Sequence, residues 1–502
     1  MAEESTKHRE NEGGQSGSVA TAPSSGFRLI HRNYGRTLIR IGNTYLPRRT
    51  LLLAISESVL IMAALVMATA LRFMNSAVFR DYLSEPRNWL RFVSVTVICQ
   101  VAFYYSELYD LRTIRKRSVL LTRSLRAIGV GLLALALLYY ILPPVRLERG
   151  IVVLFAPLAL MLMIAWRLLL NASKSLSRPL ERVLVLGTGV QGMNLAREIM
   201  RRPELQYSIV GFLEEKGEHI GKSMVSPGIV GGVSQVEEVV EREHVDRLVI
   251  SLAERRGVMP IRQLTTLKLQ GLPIEDAQSV YERISGRIML QSLQASWLIH
   301  SDGFHKSRIL SAGKRVIDLL VSAILIVLSF PMMVLTAAAI VLESGRPVLF
   351  RQERIGLGGR SFQILKFRSM RQGSEKGAPS WTADRDPRIT RVGNFIRKFR
   401  LDELPQLLNI LRGQMSLVGP RPEVPYFCEL LEREIPFFNQ RHSVRPGLTG
   451  WAQVKYQYGA SLEESKVKFE YDLFYIKNLS LMLDLAIIFE TAKVVLLGRG
   501  AK

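Results

Sequence analysis

Asp402 and Glu403 stand side by side in Leu401-Asp402-Glu403-Leu404-Pro405-Gln406, with Arg388, Arg391, Arg397, Lys398 and Arg400 before them and Arg412 and Arg421 after. Nearby positive charge lowers the pKa of an acid, so both carboxylates are expected to be ionised at neutral pH. An ionised aspartate can be a nucleophile or a metal ligand, and arginine forks match phosphate oxygens, so the pattern points to phosphate chemistry. A simpler reading makes Asp402 the N-cap of a short helix, with Pro405 in its first turn and Arg412-Gly413 at its end. The cap is accepted as local structure, but it accounts for neither Glu403 nor the arginines.

Other residues can serve the same chemistry. Arg421, in Gly419-Pro420-Arg421-Pro422, has a stiff backbone that would pre-aim its guanidinium, and Arg445 before Pro446-Gly447 has a similar setting. Both could instead be solvated arginines in turns. Lys366 and Arg368 alternate along Phe362 to Arg368 and would share one face of a strand, either on phosphate or in ion pairs. Gly447 and Gly450 permit close backbone approach to a base or a phosphate. His305 and His442 lack metal-ligand spacing and are read as ordinary histidines. Gly356-Leu357-Gly358-Gly359 is a hairpin turn between 348–353 and 361–367, since no Gly-Lys-Ser/Thr follows it.

Four segments in this order, Lys366-Phe367-Arg368-Ser369-Met370, Leu401 to Gln406, Ser416 to Pro422 and Arg445-Pro446-Gly447-Leu448-Thr449-Gly450, resemble the bacterial polyprenyl-phosphate sugar-1-phosphate transferases. The resemblance covers residues 306–502 strongly. More weakly, residues 30–300 resemble the N-terminal part of the large members that initiate exopolysaccharide or O-antigen synthesis. It implies an Asp-Glu dyad, a covalent phosphosugar intermediate on Asp402, Mg²⁺ held by Asp402 and Glu403, and phosphate or substrate contacts from Lys366, Arg368, Arg388, Arg391, Arg421, Arg445, Gly447 and Gly450. The substrates it implies are a UDP-sugar and a polyprenyl phosphate.

The elements that must position this chemistry belong to a membrane protein. Of 502 residues 48% are hydrophobic and the formal net charge is +23. The cations flank apolar segments, which suits lipid headgroups and cytoplasmic loops, and no zinc-finger spacing or basic zipper supports nucleic-acid binding. Two cysteines, Cys99 and Cys428, support neither a disulfide framework nor a metal site. Residues 1–27 are polar and small and are expected to be a disordered tail, without a cleavable signal peptide. Residues 28–175 hold four apolar segments, 51–71, 92–109, 125–142 and 151–170, the second being the weakest. Arginines before the first and between the second and third place those flanks, and everything after residue 175, on the cytoplasmic face of a bacterial inner membrane.

Residues 180–300 read as a Rossmann-like α/β domain: a strand runs into Gly187-Thr188-Gly189-Val190-Gln191-Gly192 and a helix, and Glu214 and Glu215 follow a second strand. Gly187, Gly189 and Gly192 permit a dinucleotide or serve strand-helix packing alone. No Tyr-x-x-x-Lys pair follows, so a regulatory or homo-oligomerising module is preferred. The C-terminal catalytic α/β domain, 306–502, opens with an apolar stretch at 316–342 whose two flanks are both basic. Ser329-Phe330-Pro331 in its middle allows a break, so a re-entrant helix is expected, the Ser329 hydroxyl satisfying a carbonyl freed by Pro331. Residues 469–497 are expected to include an interfacial helix. The rival readings are a membrane-tethered NAD(P)-dependent sugar-nucleotide modifier and a non-catalytic scaffold.

Overall fold

A computed structural model of the chain describes residues 38–41, 44–109, 117–172, 181–215, 219, 221, 227–252, 258–293, 298–299, 301–304, 307–371, 387–456 and 461–496. The 1–27 tail and His305 lie outside the described residues. An antiparallel ribbon, β1 (Leu38–Ile41) and β2 (Thr44–Pro47), leads into α1 (Arg48–Phe73), α2 (Ser76–Ser84), α3 (Pro86–Tyr105), α4 (Arg117–Ile141) and α5 (Arg149–Ala172). Their shared core runs through Leu65, Phe92, Phe103, Leu135 and Phe155.

Among the described residues α1, α4 and α5 are long and apolar enough to cross a membrane, but α3 is not. The second expected segment corresponds to α3, a 20-residue helix packed in the same bundle. The polar residues that weaken α3 are bundle contacts: Gln100 Nε2 donates to the Ala54 carbonyl at 3.0 Å and to Ser58 Oγ at 2.9 Å. Inside the bundle Arg167 Nε donates to Glu57 Oε1 at 2.7 Å, and these side chains are only 3% and 1% exposed. Such a pair contributes little net stability, but losing either member would strand a buried charge.

The middle unit contains five parallel strands, β3 (Glu181–Leu186), β4 (Tyr207–Glu214), β5 (Ile229–Gly232), β6 (Arg247–Ile250) and β7 (Ile274–Asp276), in the order β5-β4-β3-β6-β7. Helices α6 (Val190–Arg201), α7 (Val236–Arg242), α8 (Ile261–Leu269) and α9 (Ala277–Ser285) interleave with them. Apolar cores form on both faces, as an all-parallel sheet requires. The Rossmann-like expectation is met. All three turn glycines face the end of β6: a Cβ on Gly187 would lie 2.8 Å from the Ser251 carbonyl oxygen, one on Gly192 2.8 Å from Ser251 Oγ, and one on Gly189 3.3 Å from the Ser251 carbonyl oxygen. Close packing therefore accounts for them. Glu214 is engaged by His219, whose backbone N–H and Nδ1 lie 2.9 and 2.7 Å from its carboxylate.

The third part opens with α10 (Arg308–Ser344), 37 residues long. The expected break is not an interruption, because helix continues through Pro331. Nor does Ser329 serve the carbonyl that Pro331 frees: its hydroxyl donates to Leu325 at 2.6 Å, one turn back along its own row. Beyond α10 come the antiparallel hairpin β8 (Leu349–Ile355) and β9 (Ser361–Phe367), then α11 (Arg391–Lys398), α12 (Gln406–Leu411), β10 (Ser416–Val418), α13 (Pro425–Glu434), β11 (Gly447–Thr449), α14 (Trp451–Lys455), α15 (Leu462–Lys477) and α16 (Leu481–Leu496). The hairpin is as expected. The interfacial-helix expectation is corrected in part: Phe469 and 471–476 of α15 are buried in the core, whereas Met482, Leu485 and Phe489 of α16 are exposed.

The middle and C-terminal units are docked through polar and aromatic contacts. Trp451 Nε1 donates to the Gly286 carbonyl at 2.7 Å, Lys477 Nζ meets Glu282 at 2.7 Å, and Arg287 Nη1 meets Glu470 at 3.1 Å. The Arg287–Glu470 pair is mostly screened from solvent, at 20% and 13% exposure. Arg287→Ala should therefore cost about 2–3 kcal/mol by stranding Glu470. Thermal unfolding of the full chain in detergent would show this as a lowered midpoint with faster proteolysis between the two units; an unchanged midpoint would mean that the pair does not hold them together.

Candidate active site

The carboxylate pair sits on a 3-10 turn, Leu401–Glu403, entered through Arg400 in the left-handed conformation (φ +58°). This geometry corrects the cap reading: α12 begins only at Gln406, with Pro405 as its N-cap and no side-chain cap bond. Its end is as expected, with Arg412 as C-cap and Gly413 at φ +81°. Asp402 and Glu403 are both 9% exposed. Burial at this depth requires compensation for an ionised carboxylate.

Glu403 has that compensation. Its Oε1 accepts from Arg421 Nη2 at 2.8 Å and lies 3.6 Å from Lys366 Nζ and 3.9 Å from Arg400 Nη1. Burial works to raise the Glu403 pKa, but Arg421, Lys366 and Arg400 overcome it and hold the group well below the usual carboxylate range. Asp402 moves the other way. Burial and the neighbouring Glu403 charge raise it against Lys366, Arg400 and Arg397, so the expectation that both acids are driven down holds only for Glu403. Asp402 Oδ1 is buried without a hydrogen-bond partner. Burial in turn lowers the Lys366 ammonium to about 8, against the pull of Glu403.

The two carboxylates are thus unequal, one clamped and one free to engage a further group. A cavity of about 220 Å³ opens beside them, lined by Arg400, Arg421, Arg441, Lys468, Gln453 and Tyr456 among others. Its cations and aromatic wall suit an anionic ligand with a flat ring. Among the described residues no group of three or more His, Cys, Asp and Glu is placed to hold a metal. Two carboxylates with an unpartnered oxygen do fit Mg²⁺ of the kind that keeps waters and takes further oxygens from a substrate phosphate.

Other residues singled out above fall in different places. Lys366 points to Glu403, but β9 ends at Phe367 and Arg368 turns away, donating through Nη2 to the Ser344 and Gly345 carbonyls at 2.8 and 2.6 Å. They do not share a strand face. The Arg388 carbonyl accepts from the Arg371 N–H at 2.9 Å, and the Arg391 N–H donates to Glu343 at 2.8 Å, neither contact reaching the pair. Arg445 Nε donates to the Gly413 carbonyl at 3.1 Å. A Cβ on Gly447 would lie 2.1 Å from the Gly419 nitrogen, and one on Gly450 2.2 Å from the Gly419 oxygen. These glycines let two backbones meet just before Pro420-Arg421. His442 is a packed histidine, its pKa lowered to about 4 by burial and Arg441.

Two positioning residues escaped the sequence reading. Asn409, fully buried, accepts from the Leu365 N–H at 3.0 Å and donates to the Gln363 carbonyl at 2.8 Å, fixing β9 and hence Lys366 against α12. Arg441 Nη2 donates to the Arg421 carbonyl at 2.9 Å and to Asp472 Oδ2 at 3.0 Å, fixing the backbone of Arg421. Only the position of Asn409 in a helix between two apolar residues hinted at burial; Arg441 carried no local signal.

The bacterial sugar transferase family matches residues 309–498, and a CoA-binding domain family matches 105–267. The UDP-N-acetylgalactosamine-undecaprenyl-phosphate N-acetylgalactosaminephosphotransferase of Aeromonas hydrophila is 45% identical over 48% of this chain and 56% of its own length. The UDP-glucose:undecaprenyl-phosphate glucose-1-phosphate transferase of Xanthomonas campestris pv. campestris is 32% identical over 70% of this chain and 75% of its own length. An undecaprenyl-phosphate glucose phosphotransferase of Komagataeibacter xylinus is 34% identical over 64% of this chain and 60% of its own length. The match thus spans less than two thirds of the first and third of these relatives.

If Asp402 must be ionised and Lys366 protonated for turnover, activity rises with pH along a limb lying above the ordinary aspartate range and falls along a second limb near 8. Lys366→Arg should displace the alkaline limb upward, because arginine stays charged. A kcat/KM profile with an unmoved alkaline limb would remove Lys366 from that role.

Proposed function

Because the chain belongs to the bacterial sugar transferase family, whose relatives include undecaprenyl-phosphate sugar-1-phosphate transferases of the large type, we propose that it moves a sugar-1-phosphate from a UDP-sugar to undecaprenyl phosphate as the first membrane step of polysaccharide synthesis. The observation that carries the reading is the buried, unequal carboxylate pair beside a cation-lined cavity. Asp402, the less acidic member, attacks the phosphorus that bears the sugar. The bond from that phosphorus to the bridging oxygen breaks and UMP leaves, giving an acyl phosphate on Asp402. An oxygen of the lipid phosphate then attacks the same phosphorus, and the aspartate carboxylate departs unchanged. Positioning and charge neutralisation dominate transfers of this kind.

Arg421, Arg400 and Lys366 hold the phosphates, with Glu403 keeping these cations in place. The cavity bounded by Arg441, Lys468, Gln453 and Tyr456 takes the nucleotide. Asp402 and Glu403 would hold Mg²⁺, which supplies charge neutralisation on the donor pyrophosphate when bound. Asp402→Asn removes the nucleophilic charge while preserving shape. UMP release across a panel of UDP-sugars with undecaprenyl phosphate should fall by about three orders of magnitude or more in that variant. Turnover like that of the unmodified protein would sink the nucleophile assignment.

The chemistry lies on the cytoplasmic face, with α10 entering and leaving on that side. Near its start Arg315 donates to the Ile410 and Leu411 carbonyls at 2.6 and 2.9 Å, and Asp318 Oδ1 accepts from the Leu417 N–H at 2.9 Å. Near its end Ile340 packs in a cluster with Phe367, Ile396 and Leu404. A straight helix from Arg315 to Ile340 would extend about 37 Å, whereas Leu404 and Ile410 lie about 10 Å apart along one short helical run. Two such attachments on one small body support a bend at Ser329 and Pro331 and a re-entrant path. Cysteines at Asp302 and Arg360, in a Cys99→Ala/Cys428→Ala background, should both be labelled only from the cytoplasm. Labelling from opposite faces would establish a full crossing.

A further inference from the structure

Helix α3 ends on two tyrosines that reach out of the bundle and grip the C-terminal unit. The Tyr104 hydroxyl donates to the Glu490 carboxylate of α16, and the Tyr105 hydroxyl donates to the Phe489 carbonyl at 3.2 Å. Successive helical side chains point about 100° apart, yet both rings reach one residue: each has its centroid 5.1 Å from that of Phe489. Lys493 Nζ closes the contact one turn later, 4.7 Å from the centre of the Tyr104 ring. A tyrosine at a packed contact needs a partner for its hydroxyl, and here both partners lie on α16. The clasp fastens the end of α3 to residues 489–493.

The other side of α16 reaches the site. Ile487 is fully buried and packs in a cluster with Leu417 and Val418 of β10, and Val494 lines the cavity beside the carboxylates. Between them, Thr491 Oγ1 lies 2.7 Å from Thr449 Oγ1 on β11. The single Thr491 hydroxyl proton goes to the Ile487 carbonyl at 2.7 Å, so Thr449 is the donor of the bond between the two threonines. The Thr449 carbonyl in turn accepts the Gly419 N–H at 2.9 Å, and Pro420-Arg421 follow. Glu490, held by the bundle, is thus the chain neighbour of Thr491, held by β11.

We propose that Tyr104 and Tyr105 are positioning residues for the transfer: through Glu490 and Phe489 they set the placement of α16, and through Thr491 and Thr449 the aim of Arg421 at Glu403. The N-terminal bundle thereby tunes the site without touching substrate. The receiving end is packed backbone to backbone, since a Cβ on Gly450 would lie 2.2 Å from the Gly419 oxygen. In its kinetic consequence this rests on the transferase reading, but its structural readout needs no turnover.

The test uses the full chain in lipid discs. Tyr104→Phe/Tyr105→Phe keeps both rings and removes both hydroxyls. Hydrogen–deuterium exchange should then quicken about tenfold at 416–421 and 447–454, while the hairpin at 349–367 exchanges as in the unmodified protein. No change at 416–421, or an equal rise in the hairpin, overturns the proposal. With the UDP-sugar most active in the panel above, kcat/KM should fall about tenfold in this variant and in Thr449→Val, and again only about tenfold when the two are combined, because both break one route. A combined loss of about a hundredfold would mean two independent contributions and overturn the shared route, as would an unchanged kcat/KM in the tyrosine variant. If the unmodified protein releases no UMP while exchange changes as stated, the transferase reading fails and the hold of the clasp on the Arg421 segment stands.

Discussion

A carboxylate taken out of water needs opposite charge at short range, and much of the C-terminal unit keeps three cations around Glu403. Arg421 is held through its own carbonyl by Arg441, which is in turn neutralised by Asp472. Lys366 is delivered by β9, which Asn409 bolts to α12. Arg400, two residues past the end of α11, is the left-handed residue that enters the carboxylate turn. Arg441, Asp472 and Asn409 are buried, so removing one of them leaves polar or charged groups without partners in a poorly solvated place, a loss larger than the net worth of the pair itself. Asp402, one residue away, lacks such bonds at Oδ1. The same desolvation that Glu403 overcomes leaves Asp402 more basic, and a more basic carboxylate is the better nucleophile.

What the sequence made visible follows from local physics. Alternation and a glycine turn revealed the β8–β9 hairpin, and a buried strand before glycines revealed β3 and α6. Adjacent acids among arginines marked the candidate site because such clusters have few structural reasons to form. The misreadings arose where distant chain segments decide. Asp402 looked like a cap because acids often precede helices, but Arg400 turns left-handed and places the acid one turn too early. Lys366 and Arg368 looked alike because alternation continues in the sequence past Phe367, where pairing with β8 stops. The polar interruptions that make α3 the weakest apolar segment have a reason outside it, since Gln100 finds its partners on α1.

Both glycine motifs show the same ambiguity. Gly187 to Gly192 meet Ser251, and Gly447 and Gly450 meet Gly419; in each case the absent Cβ makes room for this chain's own backbone or side chain. A glycine-rich segment signals close approach by something, and sequence alone does not say whether that is a ligand or another strand. In the C-terminal unit the close approach is still functional in effect. It fixes the parallel pair β10–β11 directly before Arg421, so the guanidinium that clamps Glu403 is aimed by a contact between backbones.

That contact also ties the middle unit to the chemistry. Trp451 follows Gly450, and its indole is held on three sides: by the Gly286 carbonyl, by Phe474 stacked at 5.8 Å, and by Lys455 at 4.6 Å from its ring. The residue docked on the middle unit thus adjoins the close approach of Gly450 to Gly419 that precedes Pro420-Arg421. A fragment of 306–502 keeps every residue assigned to chemistry but loses the acceptor for Trp451 and the partners of Glu470 and Lys477. The two units therefore divide the residues of the reaction cleanly, but not the rigidity that the reaction depends on.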